Sequence, residues 1–114
     1  MADRWRLAFM WAFLASLVLL IVGSLLPRGG LPSASVDDKM LHFGAYAFTG
    51  VLAALAFRRR STRFACLALL TLLGVALEFG QTCVPGRSFE LWDMAANGCG
   101  TFTALTTARM LPPW

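Results

Sequence analysis

Charge is scarce in this chain. Only 14% of its 114 residues are Asp, Glu, Lys or Arg, and they fall between long apolar runs rather than within them. Histidine occurs once, at position 42. The three cysteines, Cys66, Cys83 and Cys99, are an odd number without metal-ligand spacing. Zinc sites usually draw on several His and Cys ligands, so a site with His42 as its only nitrogen donor is a poor zinc site. No metal and no other cofactor is expected. No G-x-S-x-G run occurs either, so the strained nucleophile turn of the α/β-hydrolases is missing. Cys83 and Cys99 fall toward the same side of the membrane in the layout below and are candidates to pair across helices. The simpler reading of all three cysteines is small apolar filler.

Apolar residues, by contrast, make up 58% of the chain, and the mean hydropathy is +0.66. Soluble domains are about half apolar, and a core this small would not hide so much apolar surface. A bilayer removes that difficulty. The pattern predicts an all-α polytopic membrane protein, a four-transmembrane-helix bundle forming a single membrane domain over 1–114. The spans read as Leu7–Leu26, Met40–Phe57, Phe64–Gln81 and about Asp93–Leu111. At 1.5 Å per residue, about 20 helical residues cross the roughly 30 Å hydrocarbon core. Pro27 to Pro32, Arg58 to Arg63, and Pro85-Gly86 separate the spans, and Pro112-Pro113 ends the last. The fourth, with Asn97 and several threonines, is the least apolar. The first is too long for the apolar part of a cleaved signal peptide.

Orientation follows from the basic residues. Arg4, Arg6, Arg58, Arg59, Arg60, Arg63 and Arg109 fall on one side, and Arg28, Lys39 and Arg87 on the other. The positive-inside rule then places both termini in the cytoplasm. Trp5, Trp92 and Trp114 fall at the expected interfaces. The net charge of +4 raises nucleic acid as a partner. The arginines lie in short connectors rather than on a folded basic face, so no nucleic-acid partner is expected; membrane lipids are.

The remaining polar residues are uneven. Asp37, Asp38, Glu78, Glu90 and Asp93 fall on the outer side, together with His42, Gln81, Arg87 and Asn97. Lys39, His42 and Tyr46 are spaced i, i+3, i+7 on the second helix. Glu78 and Gln81 lie one turn apart on the third, and Asp93, Asn97 and Gly100 are spaced i, i+4, i+7 on the fourth. Asp38 suits the N-cap of the second helix, where a carboxylate meets the free N–H groups. Carboxyl groups inside apolar spans face a bundle interior and find partners. Arg87 is the natural counter-ion of Glu78 or Asp93, and Lys39 the next.

Three uses fit this set. It is read first as a pocket binding an anionic group of a lipid or a lipid-linked cell-wall precursor through Lys39, His42 and Arg87. A second use is acid–base catalysis by His42 and Glu78, although the loop serine Ser88 is a poor nucleophile there. In a third, the polar groups only join helices; Ala96, Gly100 and Ala104 form a small-residue stripe, and Phe43 and Tyr46 suit packing.

The order of these pieces is itself informative. Asp38-Lys39-Met-Leu-His42-Phe43-Gly-Ala-Tyr46 is followed by Glu78-Phe-Gly-Gln81, then Pro85-Gly86-Arg87-Ser88-Phe89, then Asp93-Met-Ala-Ala-Asn97-Gly-Cys-Gly100. Over about residues 37–100 the chain resembles the VanZ-like family of small bacterial membrane proteins. It departs at Thr101 and Phe102, where smaller residues would be expected. The resemblance implies a VanZ-like domain in the cytoplasmic membrane. It also implies a link to low-level resistance to teicoplanin, a glycopeptide that binds wall precursors outside the membrane; no biochemical activity comes with it.

Overall fold

A computed structural model describes residues 2–26, 36–85 and 89–112. They form four helices: α1 (Ala2–Leu25), α2 (Val36–Ala56), α3 (Arg60–Gly80) and α4 (Leu91–Met110), with a 3-10 turn over Gln81–Cys83 extending α3. Proline shapes two of the ends. The residue before proline avoids the helical region, and α1 stops at Leu25, two short of Pro27, while Leu111 is already extended before Pro112. Only three residues connect α2 to α3, so the chain reverses direction between them. Asp93 lies in the first turn of α4 and Arg109 in its last, each matching the sign of the helix dipole there.

Three helical stretches are long and apolar enough to cross a membrane: Asp3–Leu25, Lys39–Ala56 and Arg60–Cys83. α4 is 20 residues long but less apolar. Its polarity is partly internal. Thr101, Thr103, Thr106 and Thr107 each donate their hydroxyl to the carbonyl four residues back, at 3.0 to 3.2 Å. A hydroxyl satisfied in this way needs no water.

The distribution of side chains is inverted relative to a water-soluble bundle. Leu19, Phe48, Leu69, Leu72 and Phe102 are exposed, whereas Thr49, Arg63, Glu78, Gln81, Asp93 and Asn97 are buried. The helices extend 45 Å along the long axis, close to the roughly 40–45 Å thickness of a bilayer with its head groups. α2 is central, packing most extensively on α4 and next on α1, and α3 leans on α4. Small residues bring α2 and α4 together, as is usual between membrane helices. Gly50 faces the Ala104 methyl. At Gly100, an added β-carbon would run into the Phe43 carbonyl oxygen and lie 2.9 Å from the Ala47 nitrogen.

The end where α2 runs into α3 is closed by an arginine. Arg63 is fully buried and donates from Nε to the Phe57 carbonyl at 2.7 Å, and from its two terminal nitrogens to Leu111 at 3.0 Å and Pro112 at 3.1 Å. The same end carries an Arg58–Asp3 ion pair at 2.8 Å and an edge-to-face contact of Phe13 with Phe57. Counting arginines as surface charges did not anticipate Arg63: its guanidinium is spent on backbone carbonyls.

Candidate functional site

At the opposite end, the first turns of α2 and α4 meet the last turn of α3. Lys39 points from α2 toward α4, and its ammonium pairs with both Glu90 and Asp93. One turn on, the ring of His42 donates from Nδ1 to Asn97 Oδ1 at 2.8 Å, while its Nε2 lies 3.6 Å from Asp93 Oδ2. Asp93 is therefore shared by a lysine and a histidine that are three residues apart on one helix face. On α3, Glu78 accepts the backbone N–H of Glu90 at 2.8 Å. Glu90 is the residue that caps α4, so a buried carboxylate on α3 fixes where α4 begins.

Gln81 donates to the Ser24 carbonyl of α1 at 3.0 Å. It therefore ties α3 to α1 rather than facing Lys39. Tyr46 is buried among Leu20, Leu70 and Leu77 with its ring against Gly74, where an added β-carbon would stand 3.1 Å from the ring edge. Among the predicted set, the structure brings Lys39, His42, Asp93 and Asn97 into one network, with Glu78 attached through the Glu90 backbone. Asp38 is not the N-cap of α2. The helix begins at Val36, so Asp38 is the third residue of its first turn. Arg87 and Ser88 lie outside the described residues, as do Arg28 and Trp114. Cys83 and Cys99 are free and exposed.

Glu90 is the residue that sequence reasoning left out of the site, noting it only among the outer acids. Its spacing from Asp93, three residues at a helix start, was the available signal. Its inclusion changes the charge balance. Glu78, Glu90 and Asp93 face one lysine and one histidine, so the described cluster is rich in carboxylate. Lys39 is already engaged by two of these groups, and an anion alone would have to displace them. Among the described residues, no group of three or more His, Cys, Asp and Glu side chains is arranged to hold a metal ion.

A cavity opens away from the carboxylates. It has a volume of about 580 Å³ and opens between α1 and α2, with His42 on its wall. A smaller space of about 60 Å³ lies below Asn97, beside Gly74 and Thr101. The polar side chains close on one another, and the open space lies on the other side of His42.

Comparison with known proteins agrees with this architecture. The VanZ/LLP1 family profile matches residues 3–112. An uncharacterized protein of the fission yeast Schizosaccharomyces pombe is 30% identical over 92 residues, which is 78% of this chain. The chain spans 57% of that relative's length. No solved structure matches the chain.

Proposed function

The chain belongs to the VanZ/LLP1 family, and on that premise we propose a four-span membrane protein with both termini in the cytoplasm, whose outer polar cluster receives the head group of a membrane lipid. The Lys39–Asp93–His42–Asn97 network carries this reading. It lies at one end of the helix bundle, beside a cavity, and spends more charge than two helices need to be held together. Support for a fourth span comes from the threonines of α4, whose back-bonded hydroxyls reduce its polarity in lipid. Support for the orientation comes from the arginines gathered around Arg58 and Arg63, at the opposite end from the site.

The engagement of Lys39 by two carboxylates refines the ligand. The sequence pointed to an anionic group; the cluster suits a phosphate that brings its own cation, as in an amine-bearing zwitterionic head group. Phosphate would meet Lys39 and His42, and the ammonium would replace Lys39 at Glu90. A lipid-linked wall precursor, the ligand that would connect this chain to glycopeptide resistance, is the other source of such a phosphate. The relative in a yeast favours a lipid found in both kinds of cell.

Mass spectrometry of lipids co-purified with the intact chain tests this. The native protein is expected to enrich amine-bearing phospholipid over the bulk membrane, and His42→Ala and Lys39→Met to lose that enrichment while remaining folded. Equal lipid profiles for all three proteins would reject the proposal and leave a network that only joins helices.

A further inference from the structure

The cavity between α1 and α2 has its own chemistry. Its walls are Ala12, Ala15, Leu19 from α1 and Leu41, Ala45, Phe48 from α2, with a few hydroxyls between them. The serine and threonine hydroxyls are already occupied, and Tyr46 turns its ring edge toward Gly74 of α3. Ser16 and Thr49 bond to each other at 2.5 Å across the helices, and Ser24 donates to the Leu20 carbonyl at 2.6 Å. A lining of this kind offers water few partners, and apolar cavities of this size stay dry or take an apolar guest. The polar exception is His42, which lines the cavity at its upper end and also belongs to the carboxylate network.

We propose that this groove holds one acyl chain of a membrane phospholipid whose head group lies at the Lys39–Asp93 cluster, with His42 as the junction between the two. The proposal rests on the head-group reading above and adds the path of the chain. Its dimensions fit one leaflet. From Ser24 down to Ala12 the groove follows twelve residues of α1, about 18 Å at the helical rise, against roughly 15 Å for half the hydrocarbon core. The space is a cleft open along one side between two helices, with apolar walls that a flexible hydrocarbon chain can follow from end to end. The groove is also continuous with the polar cluster through His42, as an amphiphile requires.

The test uses a phospholipid carrying a photoreactive diazirine midway along one chain, mixed into phosphatidylethanolamine and phosphatidylglycerol vesicles with the full-length protein. After illumination, adducts are mapped by peptide mass spectrometry. Adducts are expected to concentrate severalfold on Leu19 and Phe48 over Leu69 and Phe102, which are apolar and similarly exposed. Gly23→Leu projects into the upper groove, where an added β-carbon meets nothing within 4 Å among the described residues. Both Gly23→Leu and Ala45→Phe should cut the groove adducts severalfold. Adducts spread evenly over the apolar exterior, unchanged by either variant, would overturn the groove. So would cross-links between copies through this face. The head-group reading fails separately: lipid enrichment that ignores Lys39→Met with groove adducts intact rejects the head-group site, and enrichment that depends on Lys39 with even adducts rejects the groove alone.

Discussion

Arg63 and Lys39 illustrate how differently two basic residues are used in one small bundle. Lys39 is ionically paired, at the edge of the membrane, with two carboxylates from another helix. Arg63 is fully buried, and its partners are three main-chain carbonyls, one from the α2–α3 connector and two from the end of α4. Hydrogen bonds to a charged group each contribute about 1.5–3 kcal/mol, but some of this will be recovered by water at the bundle's end. Arg63→Ala is therefore expected to lower stability by about 3 kcal/mol in mixed-micelle unfolding. Hydrogen exchange should rise first around Leu111, whose carbonyl loses its donor. Arg63→Lys should recover less than half of the loss, because an ammonium cannot reproduce the planar fork. At this scale the sequence was informative where helical spacing decides the outcome. Lys39 with His42, and Asp93 with Asn97, fall on common faces and do meet. Arg63 was hidden because nothing in a run of arginines marks the one that turns inward. Glu90 was hidden because its role depends on where α4 starts.

The element that determines the packing is α2, and its contact with α4 depends on glycine at the closest point. A side chain at Gly100 would press on the α2 backbone at Phe43 and Ala47, which has no rotamer to yield. Gly98 is two residues away on the open face, where an added β-carbon meets nothing within 4 Å. Gly100→Val should therefore destabilise by about 3 kcal/mol or more. Gly98→Ala should be neutral or stabilise by up to about 1 kcal/mol through helix propensity. Thermal unfolding of the two variants in the same detergent separates a true close approach from a general dislike of glycine replacement. The positions of the helices were legible from the apolar runs and prolines. Their ends were less so: α2 starts four residues before the apolar span it contains, and this is why Asp38 falls inside the helix rather than at its cap. Apolar runs report what lipid can solvate, whereas helices continue into the interface as long as hydrogen bonds can form.

For the whole molecule, the proposed topology makes a chemical prediction. Cys83, in the 3-10 turn after α3, is free and exposed at the end of the bundle that carries the site. In intact cells it should react with a membrane-impermeant maleimide, while a cysteine placed at Arg59 should react only after the cells are opened. The reverse pattern would invert the bundle and put the site in the cytoplasm. The family and the all-helical class were visible in motif order and hydropathy. The location of the cavity was not, because it depends on how α1 docks against α2, and His42 and Tyr46 are the predicted site residues that line it.

The central claim, a lipid head group at the outer cluster, is tested most directly by solid-state NMR of the isotope-labelled protein in vesicles rich in phosphatidylethanolamine. Magnetisation transfer between lipid phosphorus and the side-chain nitrogens of Lys39 and His42 reports direct proximity. Phosphorus contacts to both residues are expected, lost from His42 when Lys39 is replaced by Met and absent from Arg63 throughout. Lysine and histidine signals with no phosphorus contact, in a sample where lipid is demonstrably bound to the protein, would contradict it.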